Sequence, residues 1–147
     1  MSEFAIRKAR ESESRQIKEL IRLVGINPME LDWKRFVVAV DSQNRIIGTG
    51  QIKPHGKEIL ELASIAVHPD SRGRGVARAI IEHLLKDSPR PLYLTCLSSM
   101  ESLYQKFGFV TLSQETMPRY YRRLSKLANT MMNFTHRGER MLVMKLQ

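Results

Sequence analysis

Cysteine is nearly absent: Cys96 stands alone in 147 residues, so no internal disulfide can form. The four histidines are dispersed and no cysteine set accompanies them, which excludes the ligand spacing of a structural zinc site, and no metal is expected. Long apolar runs are missing too. No stretch of about 18 apolar residues occurs and charges punctuate Met1 to Gln16, so we expect neither a membrane span nor a secretory signal, but a soluble cytoplasmic protein. Acids are few beside bases: 15 Asp+Glu face 24 Lys+Arg, a net charge of +9. That field favours an anionic partner, and a phosphate-rich cofactor, an anionic substrate, nucleic acid or a ribosomal surface would all profit from it.

What is present reads as one domain over residues 1–147, with 42% hydrophobic content to build a core. Ile17, Leu20, Ile21 and Val24 recur at helical spacing within Ser12 to Val24. Phe36 to Val40 is a short β-branched run, Asp41-Ser42-Gln43-Asn44 has turn chemistry, and Ile46 to Ile52 reads as the returning strand. Pro54-His55-Gly56 predicts another turn before Glu58 to Val67, a strand apolar on both sides except for a carboxylate, Glu61, in its middle. Val76, Ala79, Ile80, His83 and Leu84 keep helical spacing, and Leu92 to Leu97 is a further strand. Met100, Leu103, Tyr104 and Phe107 mark a short helix ended by Gly108, and Phe109 to Leu112 extend as a strand. From Pro118 a helix is expected with Tyr121, Leu124, Ala128 and Met131 on one side and Arg119, Arg122, Arg123 and Lys126 elsewhere, before a last strand, Arg140 to Leu146. This order predicts an α/β (α+β) layer structure.

The informative stretch runs from Leu62 to Leu85: strand, glycine-containing loop, helix. Gly73 and Gly75 let successive backbone N–H groups face outward at the positive end of a helix, a cradle for a diphosphate, with Arg72 and Arg74 adding charge. A glycine-rich turn beside solvated arginines is the other reading of the same residues. The dinucleotide-binding fingerprint requires a third glycine where Arg78 stands, and a Walker loop requires Gly-Lys-Ser/Thr, so both fail.

Arg72-Gly73-Arg74-Gly75-Val76-Ala77 resembles the Arg/Gln-x-x-Gly-x-Gly/Ala signature of the GNAT superfamily of acyl-CoA-dependent N-acetyltransferases, and Leu103-Tyr104-Gln105-Lys106-Phe107-Gly108-Phe109 resembles its second signature. The resemblance extends from the first helix to Phe109. It implies a mixed, mainly antiparallel sheet flanked by helices, here with an extra basic helix before the last strand. It implies acetyl-CoA as cosubstrate and direct transfer of acetyl to a primary amine. Arg72, Gly73, Arg74, Gly75, Val76 and Ala77 would hold the diphosphate, and the backbone of Ile65, Ala66 and Val67 would pair with the pantetheine arm. Tyr104 matches the tyrosine beside the thioester sulfur, a candidate acid for the departing thiolate. Glu61 matches the position of the general base in histone-type members. The family often has an asparagine where this chain has Leu97, so Ser98 and Ser99 are the candidates for that pantetheine contact.

From Glu115 to Gln147 the bases Arg119, Arg122, Arg123, Lys126, Arg137, Arg140 and Lys145 face only Glu115 and Glu139. We expect the basic helix to border the acceptor cleft, with Arg122 and Arg123 selecting amines that carry carboxylate or phosphate, in a small molecule or a peptide. A solvated helix face is the plain alternative. Two other classes stay open: a basic module docking on RNA or a ribosome, and an idle acyl-CoA sensor. No RNA-binding signature is present, so nucleic acid is not expected as a partner, and association as a homodimer stays open. Cys96 reads as a small buried hydrophobe, without a role in transfer.

Overall fold

The structure, a computed structural model, describes residues 3–135 and 138–147, so Arg137 of the basic tail lies outside the described residues. Its elements in chain order are β1 (Phe4–Lys8), α1 (Ser14–Val24), β2 (Phe36–Asp41), β3 (Ile46–His55), β4 (Ile59–Val67), α2 (Val76–Asp87), β5 (Leu92–Leu97), α3 (Glu101–Gln105), β6 (Val110–Thr111), α4 (Arg119–Thr135) and β7 (Met141–Leu146). The expected mixed, mainly antiparallel sheet with flanking helices is what forms, with α4 as the additional basic helix before the last strand. Cα packing divides the chain into two compact units, Met1–His55 with Leu62–Ser88, and Gly56–Glu61 with Pro89–Gln147.

In the first unit the strand order is β1-β2-β3-β4, and β1 and β3 pair antiparallel with β2. Ile17, Leu20 and Ile21 of α1 pack with Phe36, Val38 and Val40 of β2 and Ala66 of β4 into an apolar core. Gly25, at φ 83, ends α1 in the left-handed conformation that glycine adopts without penalty. The strand β1 is absent from the sequence expectation because its charges conceal it. Arg7 donates to both oxygens of Glu13, at 2.9 and 2.6 Å, and Glu13 also accepts from the Arg10 amide. The Arg7 guanidinium holds the buried Glu13 carboxyl below the usual carboxylate range, so a cation on this strand is compatible with packing beside α1.

Helix α2 lies against β3 with almost no space between them. A Cβ on Gly50 would stand 2.6 Å from Cγ2 of Ile80 and 2.9 Å from Cδ1 of both Ile65 and Leu84, and one on Gly48 would stand 2.7 Å from Cγ1 of Val76. The two glycines that weaken the strand signal of β3 are therefore what lets the helix approach. That strand also runs through the expected turn at Pro54 and ends at His55.

The second unit has the order β4-β5-β7-β6, with β4 and β5 parallel at Glu61↔Tyr93 and β7 antiparallel to both β5 and β6. Tyr93, Met117, Tyr121 and Val143 form its core cluster. Helix α4 is rotated from the expected phase: Tyr121 and Ser125 are buried, while Leu124, Leu127 and Met131 are exposed. Hydrogen bonds explain the rotation, because Tyr121 bonds Glu61, Ser125 takes one from Gln114, and Asn129 exchanges two with the backbone of Met141. A polar edge is thereby turned inward, against the hydropathy pattern.

Gly50→Val tests the α2 contact. We expect a loss of about 1–3 kcal/mol from overpacking, read as a fall in Tm of roughly 2–4 °C per kcal/mol. A variant melting with the wild type would show that α2 does not sit this close to β3.

Candidate active site

The segment after β4 is built almost wholly by backbone. The His68 amide donates to the Ile47 carbonyl at 2.8 Å, and its Nδ1 accepts from the Asp70 amide at 3.1 Å, which fixes a single turn of 3-10 helix over Pro69–Ser71. Gly73 and Gly75 then both adopt positive φ, 79° and 80°, and a Cβ on either would meet nothing within 4 Å. Glycine is needed here for conformation, and the space beside it is open to a ligand. Gly75 is the N-cap of α2 and offers no side chain to the first-turn amides, so these N–H groups point out at the positive end of a helix of 12 residues. Arg72 and Arg74 are exposed beside them. A pocket of about 840 Å³ opens next to the loop, lined by His68, Ser71, Gly73 and Arg74 and by Gln43 and Arg45 of the β2–β3 turn. An anion bearing several oxygens fits such a surface.

Of the strand residues ahead of the loop, Ala66 packs in the α1-side core, whereas Ile65 reaches towards Gly50 and α2. Before them stands Ser64 at φ 58, a left-handed conformation that is uncommon for a residue other than glycine. Two hydrogen bonds hold it: the Thr49 hydroxyl donates to its carbonyl at 2.9 Å, and Gln51 Nε2 donates to its hydroxyl at 2.8 Å.

The remaining candidates belong to the second unit. Tyr104 is buried on α3, edge-on to Phe109 with ring centroids 6.2 Å apart. Burial first, and then the charge of a Cys96 thiolate, push its phenol up to about 12. Cys96 is half-buried with Sγ 3.8 Å from Sδ of Met144, and burial followed by Glu101 and Glu139 pushes its thiol up to about 11. The hydroxyls of Ser98 and Ser99 both donate to Glu139, at 2.9 and 2.8 Å, and the Ser99 amide joins them at 3.1 Å. They clamp the entry to β7.

Glu61 is buried and accepts a 2.5 Å hydrogen bond from the hydroxyl of Tyr121, which is itself fully buried. Burial, then the Glu61 charge, drive the Tyr121 phenol far above its ordinary range, so it remains a donor. The sequence placed Tyr121 on an apolar helix face; nothing in the local pattern pairs it with a carboxylate 60 residues away. Arg122 donates to the carbonyls of Gln114 and Met117, both at 3.2 Å, and braces the approach to α4, while Arg123 projects from the exposed side. Among the described residues no group of His, Cys, Asp and Glu is placed to hold a metal, and no helix is long and apolar enough to cross a membrane.

The state of Cys96 is directly testable. With its thiol at about 11, the reactive thiolate is scarce at pH 8, and iodoacetamide should label it on the order of a hundredfold more slowly in the folded protein than in denaturant. Equal rates by mass spectrometry would show an exposed, ionised thiol.

A family model described as an acetyltransferase (GNAT) domain matches residues 32–111, more than half of the chain. Among solved structures, N-acetylglutamate synthase from Neisseria gonorrhoeae, complexed with coenzyme A and N-acetyl-glutamate, aligns with a TM-score of 0.73 and 19% identity, over 100% of this chain and 36% of its own. A Mycobacterium tuberculosis protein in complex with CoA aligns with a TM-score of 0.70 and 18% identity, over 97% and 99% of the two chains. A GNAT-family acetyltransferase from Bacillus cereus gives 0.66 and 18%, over 99% and 98%. The chain thus spans about a third of the length of the synthase, and at these identities the likeness is one of fold. No curated protein sequence matches the chain. Both the glycine loop and the segment from Leu103 to Phe109 fall inside the family match, and the chain belongs to the GNAT family of acyltransferases.

Proposed function

We propose that this protein moves an acetyl group from acetyl-CoA directly to a primary amine, with both substrates bound together. The observation that carries the reading is the pair of left-handed glycines, Gly73 and Gly75, opening α2 with uncapped first-turn amides beside Arg72 and Arg74. The amides of residues 73–77 bind the diphosphate of the coenzyme, and the two arginines add field. The backbone of Ile65 to Val67 orients the pantetheine arm, whose thioester supplies the activated acyl group. Residence in the cytoplasm fits such a cosubstrate and an unpaired thiol.

In the transfer the amine nitrogen forms a bond to the thioester carbonyl carbon, the carbon–sulfur bond breaks, and the amine loses a proton. Tyr104 serves the sulfur. A phenol at about 12 is neutral at working pH, and it is a weaker acid than a thiol of ordinary pKa ~8.5. Its main contribution is therefore a hydrogen bond that strengthens as charge grows on the leaving sulfur, an interaction made in the transition state and little in the ground state. Glu61 receives the amine proton through water, held in one orientation by the Tyr121 hydroxyl. Cys96 takes no part: with its thiol at about 11 it is a poor nucleophile, which agrees with transfer lacking an acyl-enzyme.

Two variants separate binding from chemistry. Gly75→Glu forces a side chain and a negative charge onto a left-handed cap, and it should abolish the rise in Tm that acetyl-CoA gives the wild type. Tyr104→Phe should keep that rise and lower kcat by about 10²–10³. Equal stabilisation of Gly75→Glu and wild type would remove the diphosphate assignment, and an unchanged kcat in Tyr104→Phe would remove the role at sulfur.

A further inference from the structure

Three buried polar side chains follow one another along β3: Thr49, Gln51 and Lys53, exposed by 0%, 0% and 5%. The intervening Gly48 and Gly50 face α2, so by strand alternation the row points to the opposite side of the sheet. Its register partners there are Phe36 for Gln51 and Val38 for Thr49, members of the apolar cluster beneath α1. An amide and an ammonium are costly in such surroundings unless they are fully partnered. They are not. Ser64 satisfies the Thr49 hydroxyl and one end of the Gln51 amide, but Gln51 Oε1 is buried and has no hydrogen-bond partner among the described residues. Exchanging the amide's oxygen and nitrogen merely moves the orphan to the other end, since the Ser64 hydroxyl can donate as well as accept. Lys53 Nζ stands 3.7 Å from Glu30 Oε2, beyond hydrogen-bond length, and the Glu30 side chain is 58% exposed. Glu30 itself sits at φ 57, a second strained residue other than glycine at the same place.

The row thus holds a buried cation with a loosely seated internal carboxylate and an amide with one end unused. It is anchored on Ser64, the residue of β4 immediately before the segment assigned to the pantetheine arm. We propose that Thr49, Gln51 and Lys53 form the acceptor-recognition subsite. Lys53 pairs with a carboxylate of the acceptor in place of Glu30, and the unused end of the Gln51 amide takes a neighbouring polar group. The acceptor is accordingly an amine that carries a carboxylate close by, as a free amino acid or a peptide end does. Glu30 marks the position of that carboxylate and competes with it. The name acceptor rests on the acetyltransferase reading; the binding of an amino-carboxylate to this row does not.

The test reads binding and needs no turnover. Thermal shift is measured with CoA alone, then with CoA plus an equimolar mixture of the common amino acids, or plus the same mixture as C-terminal amides. CoA alone checks the coenzyme reading by itself: no shift there sinks the acetyltransferase proposal whatever the amino acids do. For the subsite, the free acids should add stabilisation that the amides do not. Lys53→Met, which keeps the volume and removes the charge, should weaken the apparent affinity for the acids by about tenfold to a hundredfold. Glu30→Gln should strengthen it several-fold, because the competing carboxylate is gone. Opposite directions for the two variants distinguish recognition from a merely structural ion pair, whose loss would act alike in both. Equal shifts from acids and amides in the wild type overturn the proposal. So does a Glu30→Gln protein that binds the acids no better than the wild type, an outcome readable even if Lys53→Met fails to fold.

Discussion

Everything in the first unit depends on how closely α2 approaches β3. Gly48 and Gly50 remove the side chains that would hold the helix away, and the methyl groups of Val76, Ile80 and Leu84 fill the space where those Cβ atoms would stand. With the helix seated at that depth, its first turn begins directly after the short connection from β4. The connection from β4 enters that turn through left-handed geometry, which Gly73 and Gly75 supply. The amides are uncapped because the residue at the N-cap has no side chain, and the conformation requires that residue to have none.

Polar groups are buried at several places, and each case has a physical reason. Glu13 is buried because Arg7 and the Arg10 amide satisfy it. Glu61 is buried against the Tyr121 hydroxyl, and the mutual influence is visible in the phenol, whose ionisation both burial and the carboxylate oppose. Thr49 and Gln51 converge on Ser64, which is strained to receive them. Gln51 and Gln114 each leave a buried amide oxygen without a partner among the described residues, and that of Gln51 lies in a row with a buried cation, where an interior built for stability alone would have apolar side chains.

Much of this was legible in the sequence. The helical spacing of Ile17, Leu20 and Ile21, the β-branched run from Phe36, and the strand-loop-helix order around Gly73 and Gly75 are local signals, and each element formed near its expected limits. What was not legible depends on distant partners. The strand β1 hid behind Arg7, whose charge is matched by Glu13 six residues on. Helix α4 turned Leu124 and Met131 outward because hydrogen bonds to Glu61, Gln114 and Met141 outweigh the apolar stripe. The hydrogen bonds from Arg122 to the carbonyls of Gln114 and Met117 likewise carry no local signal. Lys53 carried no signal at all, since the strand was expected to end at Ile52, and only three-dimensional packing reveals that the lysine after it is buried.

The central claim is that the loop at the start of α2 binds the coenzyme diphosphate through its backbone. Amide hydrogen exchange, followed residue by residue with and without CoA, addresses that claim at the atoms concerned. Saturating CoA should slow exchange at the amides of Gly73, Gly75, Val76 and Ala77, which have no intrahelical acceptor of their own, and pantetheine, which lacks the diphosphate, should leave them unchanged. Protection that appears elsewhere while these amides exchange as fast as before would contradict the account.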